Sequence, residues 1–219
     1  MADIAAVPDL VTQAIAAARR IGLPVTPEDA GDGRGSASKP GTGRFLAMLA
    51  AGCTGGRIAE LGTGAGIGAA WIASAMPPDC MLLTTEIDPV RAGAAAEVLA
   101  ADRRIVVLAG DWGVLLPSRA PFDLIFADSG VRDLAVFREL VGMLTTGGRI
   151  VMDDVTPRRA LPVDSPLRDR DPKRDLFGAE DRLVSTEVVL PDLQSSLLVG
   201  TRRTVSVGSE ARSGYHAAG

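Results

Sequence analysis

The sequence is poor in the side chains that most often carry catalysis at neutral pH. Its 219 residues include one histidine, His216, and one tyrosine, Tyr215, both close to the last position. Lysine occurs only as Lys39 and Lys173. A Ser-His-Asp or Cys-His machine needs an internal histidine, as does a His-ligated zinc site, so these are excluded. Proton chemistry must then rest on carboxylates, lysine, a metal or the substrate itself. Aromatics are 4% of the chain, so the 47% apolar fraction is mostly Ala, Val, Leu and Ile. The two cysteines, Cys53 and Cys80, sit in apolar surroundings without metal-ligand spacing and read as buried thiols of a reducing compartment. The net charge of −4 lacks the basic excess that nucleic acid requires, so no nucleic-acid partner is expected. No apolar run approaches membrane-spanning length, and Asp3 and Asp9 stand where a signal peptide would be basic and then apolar. A cytoplasmic protein without a membrane partner is expected.

What is present is a regular alternation. Asp9 to Arg20 has apolar residues at helical spacing, with Asp9 as a cap and Gly22 and Pro24 as the stop. Val25 to Gly43 is rich in Gly, Pro, Ser and Asp and reads as a long loop. Phe45 to Ala51 is helix-prone. From Arg57 onward short strands alternate with helices. Strands are expected at Arg57–Leu61, Met81–Ile87, Ile105–Ala109, Phe122–Ala127 and Arg149–Met152, the last entered through a Gly147-Gly148 turn. Helices are expected at Gly66–Met76, Pro89–Ala101 (capped by Asp88), Trp112–Leu116 and Asp133–Leu144. Short Val/Ile/Leu-rich strands alternating with helices indicate a parallel sheet covered on both faces. Thr156 to Asp181 reads as irregular, and its mixed charges as a solvated loop. Val184–Leu190 and Ser196–Arg202 flank Pro191-Asp192-Leu193, a hairpin signal.

The chemistry-bearing residues fall at strand ends. Glu60-Leu-Gly62-Thr-Gly64-Ala-Gly66 follows the first strand and opens a helix, so the backbone turns tightly and presents free N–H groups. Glu86 ends the next strand, about 20 residues past the glycines, where an acid takes ribose hydroxyls. Gly110-Asp111 ends the third strand and Asp128 the fourth. Trp112 is placed either as an adenine wall or as part of the core, while Trp71, on a helix, reads as core.

These residues resemble class I S-adenosylmethionine (SAM)-dependent methyltransferases. The match covers roughly Lys39 to Arg203 through Glu60–Gly66, Glu86, Gly110-Asp111, Phe122-Asp-Leu-Ile-Phe-Ala-Asp128 and Gly147-Gly-Arg-Ile-Val151. The resemblance implies a Rossmann-like, doubly wound α/β sheet of seven strands, mostly parallel with a C-terminal antiparallel hairpin. It implies Gly62, Gly64 and Gly66 around the methionine end of SAM, Glu86 on the ribose and Asp111 near the adenine amine. Glu60, Trp112 and Asp128 complete the cofactor set. Residues 1–43 are expected to form an N-terminal helix and lid, 44–203 the methyltransferase domain, and 204–219 a disordered tail. The lid is also a candidate dimer contact, so a homodimer is among the expected partners.

In this topology Asp128 and Asp153-Asp154 end neighbouring strands about 4.8 Å apart, so their carboxylates are expected to converge beside the methyl donor. Three hard oxygen ligands suit Mg²⁺, Ca²⁺ or Mn²⁺, and a cation would activate a hydroxyl. The arrangement is similar to cation-dependent O-methyltransferases of the catechol and caffeoyl-CoA type, whose set is Asp…Asp-Asn with a lysine three residues after the first Asp. Asp154 stands in place of the Asn, and Val131 in place of the lysine. The expected function is O-methylation of a small-molecule hydroxyl, with Asp128 and Asp153 catalytic and Asp128, Asp153 and Asp154 as metal ligands. A SAM-binding sensor without catalysis and an NAD(P)-dependent oxidoreductase, from Gly64-Ala-Gly66-Ile-Gly68-Ala69, stay open as alternatives.

Overall fold

The computed structural model describes residues 6–26, 29, 38–128, 130–190 and 195–204. Seven strands form one sheet: β1 (Arg57–Leu61), β2 (Met81–Glu86), β3 (Ile105–Ala109), β4 (Phe122–Ala127), β5 (Leu144–Val155), β6 (Leu183–Val189) and β7 (Ser196–Arg202). Their order is β3-β2-β1-β4-β5-β7-β6. The first five are parallel, and β7 runs antiparallel to both β5 and β6. The expected fold class is the observed one. The strand order reverses between β1 and β4, and an open α/β sheet binds ligands in the crevice at such a point. Leu61 and Ala127 lie in register there.

Helices cover both faces. On one lie α1 (Asp9–Arg20), α2 (Pro40–Ala51), α3 (Ile67–Ala73) and α4 (Pro89–Leu99), packed through Val11, Ala14, Leu46, Trp71, Ile72 and Leu99. On the other lie α5 (Trp112–Leu115), α6 (Leu134–Gly142) and α7 (Pro172–Gly178), packed through Phe122, Phe137, Leu140, Leu176 and Phe177. The Phe137 and Phe177 rings are 4.9 Å apart, and both are core residues. Trp71 is also buried, under the Arg44 guanidinium. Both cysteines are buried and free, and burial pushes the Cys53 thiol up to about 11.

Several expectations shift. Asp9 does not cap α1; Pro8 occupies that position and Asp9 lies inside the first turn. α2 starts at Pro40, inside the stretch read as loop, because proline is well placed at a first helical position. β5 is continuous from Leu144, so Gly147-Gly148 sits in a register shift of one strand and does not precede it. α7 forms within the stretch read as irregular, with Asp171 accepting from the Lys173 and Arg174 N–H groups. Asp88 does cap α4, through Val90 and Arg91. The turn Pro191-Asp192-Leu193, the tail from Val205, and with it Tyr215 and His216, lie outside the described residues.

Candidate functional site

The first part of the site is built on β1, β2 and the turn between β1 and α3. Gly62 and Thr63 donate to the Thr85 carbonyl at 2.9 and 3.0 Å, folding the turn back over β2. Gly66 precedes α3 in the left-handed region at φ 92°, which glycine adopts without strain. Glu86 accepts from the Gly64 N–H at 2.8 Å and from the Asp88 N–H at 3.0 Å. Its carboxylate is thus held at the rim of the turn by two backbone donors.

Glu60 lies below it, only 1% exposed. The Thr84 hydroxyl donates to it at 2.5 Å, and Thr63 lies 2.5 Å from Thr84 in turn. Burial pushes its carboxyl up to about 8, opposed by the Thr84 hydrogen bond and reinforced by Glu86. α3 comes so close that a Cβ on Gly68 would lie 2.2 Å from a Glu60 oxygen. Only glycine fits there while Glu60 keeps its position.

A cleft opens over this turn. Glu60, Gly62, Gly64 and Asp128 line it together with Ser38, Thr63, Ala65, Ile67 and Gly68. Ala18, Leu23 and Pro24, from the end of α1 and the residues after it, close its other side. The structure therefore brings four of the expected cofactor residues to one cleft. Glu86 joins them through Gly64. Gly66 serves the packing of α3 on α4 instead, since a Cβ there would meet Leu99 at 3.1 Å. Asp111 caps α5 through the Gly113 N–H at 2.7 Å and is exposed, while Trp112 is half-buried against the second core. Neither lines the cleft.

The second part lies at the ends of β4 and β5. The Asp128 N–H donates to the Leu61 carbonyl at 3.0 Å, which seats Asp128 at the reversal point. Burial, then the charges of Asp154, Asp153 and Glu60, raise its carboxyl well above the ordinary range, while Lys173 opposes them. Asp153 is 8% exposed and accepts from the Asp154 N–H at 2.7 Å. Burial, then Asp154, raise its carboxyl too, against that N–H and Lys173. The buried Thr42 hydroxyl faces Asp153 but makes no hydrogen bond of ordinary geometry. Asp154 is exposed and left-handed at φ 58°, a conformation that Asp tolerates better than most residues.

Lys173 is the site residue that the sequence did not reveal. Its ammonium donates to the Asp153 carbonyl at 2.6 Å and lies 3.5 Å from that of Asp154. The available signal was Asp171-Pro172, a cap and first-position pair that starts a helix immediately before Lys173. Val131, where the resemblance would have a lysine, is buried in the second core.

The three carboxylates sense one another but do not form a ligand set. Among the described residues, no three His, Cys, Asp or Glu side chains are grouped to hold a metal ion. Asp153 is turned onto a backbone N–H, Asp154 lies out in solvent, and an ammonium occupies the adjacent carbonyls. A hard divalent cation needs several oxygens at one point, so the expected metal set of Asp128, Asp153 and Asp154 does not fit this arrangement. Asp154, left-handed and exposed, stays within charge reach of both Asp128 and Asp153 without joining them in a ligand group.

Comparison with known proteins bears on the same residues. Residues 59–155 match the family described as "Methyltransferase domain". The matched stretch runs from β1 to the end of β5 and holds Glu60, the glycine turn, Glu86, Asp128 and Asp153. A catechol O-methyltransferase of Niastella koreensis is 31% identical over 125 residues, covering 52% of this chain and 56% of that protein. The chain thus spans about half the length of the curated relatives it matches. Among solved structures, the O-methyltransferase TomG of Streptomyces achromogenes, in complex with SAM, superposes with a TM-score of 0.68 at 22% identity, covering 91% of this chain and 92% of that one. An O-methyltransferase of Bacillus cereus gives 0.69 at 20% identity, covering 90% and 93%. At these identities the structural likeness establishes the fold of the methyltransferase domain. No helix among the described residues is long and apolar enough to cross a membrane.

Proposed function

We propose that the chain is a SAM-dependent O-methyltransferase that acts on a hydroxyl of a small molecule. The observation that carries this reading is the cleft over the glycine turn, where Glu60 and Asp128 face one space at the reversal point of a methyltransferase domain. The O-methyltransferase names of the relatives and the SAM held by TomG support the donor and the reaction class.

SAM carries a permanent sulfonium charge. Carboxyls with raised pKa are those that gain most from such a charge, because a nearby cation favours their ionised form. Glu60 and Asp128 thus supply a counter-charge when the donor binds. Transfer is an in-line displacement. The acceptor oxygen forms a bond to the methyl carbon as the carbon–sulfur bond breaks, and that electron pair stays on sulfur, leaving a neutral thioether. The hydroxyl proton passes to an ionised carboxylate, Asp128 or Asp153, and then to water. The chain contributes orientation and a proton acceptor in a part-buried site. No step is assigned to a metal, since the carboxylates do not form a ligand set. Acceptor, location and a homodimer remain within the same proposal: a small hydroxylated molecule, methylated in the cytoplasm by one or two copies of the chain.

Calorimetric titration with SAM, followed by a panel of hydroxylated acceptors read by S-adenosylhomocysteine formation, tests this. Binding of one SAM per chain and turnover with an acceptor are expected. A NADH fluorescence change with no SAM heat would favour the oxidoreductase instead. SAM binding with no turnover across the panel would favour a sensor.

A further inference from the structure

We propose that Lys173 is the cation of the acceptor site: its ammonium, tethered on α7, takes the place of a divalent ion at the ends of β4 and β5, so methyl transfer by this chain needs no metal. The inference rests on the methyltransferase reading above and names a positioning residue within it.

Three observations carry it. The first is placement. The Lys173 ammonium sits on the Asp153 carbonyl at 2.6 Å and near the Asp154 carbonyl at 3.5 Å. It has three N–H donors, and two carbonyls leave at least one for an acceptor oxygen or a carboxylate. Its charge reaches both Asp128 and Asp153.

The second observation is rigidity. A cation that replaces a metal must be held in place, and a lysine side chain alone is flexible. Here its helix is fixed at several points. Asp171 caps α7 and pairs with Arg174 at 3.0 Å. Arg174 also grips Glu187 of β6 through two donors at 2.9 and 2.8 Å and the Thr156 carbonyl at 2.8 Å. Leu176 and Phe177 anchor the other side of the helix in the core.

The third is the failure of the alternative. One Asp153 oxygen accepts a backbone N–H and Asp154 is exposed, and among the described residues no three carboxylates are grouped to hold an ion. One positive charge among acids that share burial is what the site lacks, and Lys173 supplies it. In the resemblance the lysine of the site follows the first Asp by three residues; here that position is the core residue Val131, and a lysine reaches the Asp153 carbonyl from α7 instead.

Two measurements on the full chain test it. Mn²⁺ alone, titrated to about 1 mM and read by calorimetry and by its paramagnetic resonance signal, should not bind the wild type, a concentration at which even weak oxygen sites fill. With an acceptor in hand, turnover should be unchanged by excess EDTA. Lys173→Ala should lower kcat about 100-fold, the low end for loss of a group that governs proton transfer, while the SAM dissociation constant moves less than about threefold. Lys173→Arg, which keeps the charge, should recover part of the loss. Mn²⁺ binding by the wild type at micromolar concentration, loss of turnover in EDTA, or kcat of Lys173→Ala within about twofold of wild type would each overturn the proposal. The Mn²⁺ titration is independent of the reaction, whereas absence of SAM heat overturns the methyltransferase reading and leaves the Mn²⁺ result standing.

Discussion

The two acidic regions of the cleft edge are built in opposite ways. Around β1 and β2, Glu60 and Glu86 are held by hydroxyl and backbone donors from a segment of fewer than thirty residues, Glu60 to Asp88. Around β4 and β5, Asp128, Asp153, Thr42 and Lys173 come from four separate elements. The first region is pre-organised by local turn geometry and suits a ligand shared across many acceptors. The second depends on how α2 and α7 dock, and a change in either docking would alter the acceptor chemistry without disturbing the donor. We assign donor binding to the first region together with Asp128, which lines the same cleft, and positioning of the reacting hydroxyl to the rest of the second.

That division is broken most directly at Asp153. Asp153→Asn should lower kcat about 100- to 1000-fold, as for loss of a general base, with SAM affinity nearly unchanged by calorimetry. If SAM affinity falls instead, the two regions are not separate. Gly68→Ala tests the donor side. Its Cβ would lie 2.2 Å from a Glu60 oxygen, so either α3 or Glu60 must move. Overpacking of this kind costs about 1–3 kcal/mol of stability, visible in urea unfolding, and SAM binding should weaken with it.

Glu60→Gln sharpens the same side through pH. Burial raises the folded-state carboxyl to about 8, from an ordinary value of 4.5. The folded state therefore holds a proton that the unfolded chain has lost. The stability contributed by Glu60 is complete below 4.5 and is lost as pH rises toward about 8. Glu60→Gln should flatten the fall in Tm over that interval. The limiting slope is about 1.4 kcal/mol per pH unit for one proton.

The smallest effects compare two helix caps. Asp88→Ala and Asp171→Ala should each cost about 1 kcal/mol, the usual value of an N-cap. Only Asp171→Ala, which loosens the helix that carries Lys173, should also lower kcat by a few-fold. Equal kcat in both variants would argue that the docking of α7 does not matter to the reaction.

The same contrast explains what was legible in the sequence. β1, β3, β4, β7 and α1 fall at the expected residues because their periodicity and stop signals are local. The glycine turn with Glu60 and Glu86 was legible for the same reason, since strand, turn and helix adjoin. α7 was hidden by four prolines and a run of mixed charges that resemble a solvated loop. In the fold the charges around α7 are paired, Arg174 with Asp171 and Glu187, while much of the run before it is exposed. Lys173 lies twenty residues from Asp153 in sequence, and the return of the chain from β5 through α7 to β6 brings them together. The expected metal set is not grouped among the described residues: Asp153 accepts a backbone N–H and Asp154 is exposed, and composition and spacing encode neither. Asp111 and Trp112 were placed by strand order alone, and the structure sets them beside the cleft without lining it.

The central claim is that the cleft over Glu60 and Asp128 holds a cationic methyl donor. Calorimetric titration of SAM into the protein between pH 6 and pH 8 tests it most directly. The account predicts one site per chain, proton release on binding, and affinity that rises several-fold with pH, because the sulfonium favours the ionised form of Glu60, whose free carboxyl, raised to about 8, still carries its proton over much of that range. No binding heat up to about 1 mM SAM, or affinity that falls as pH rises, would contradict it.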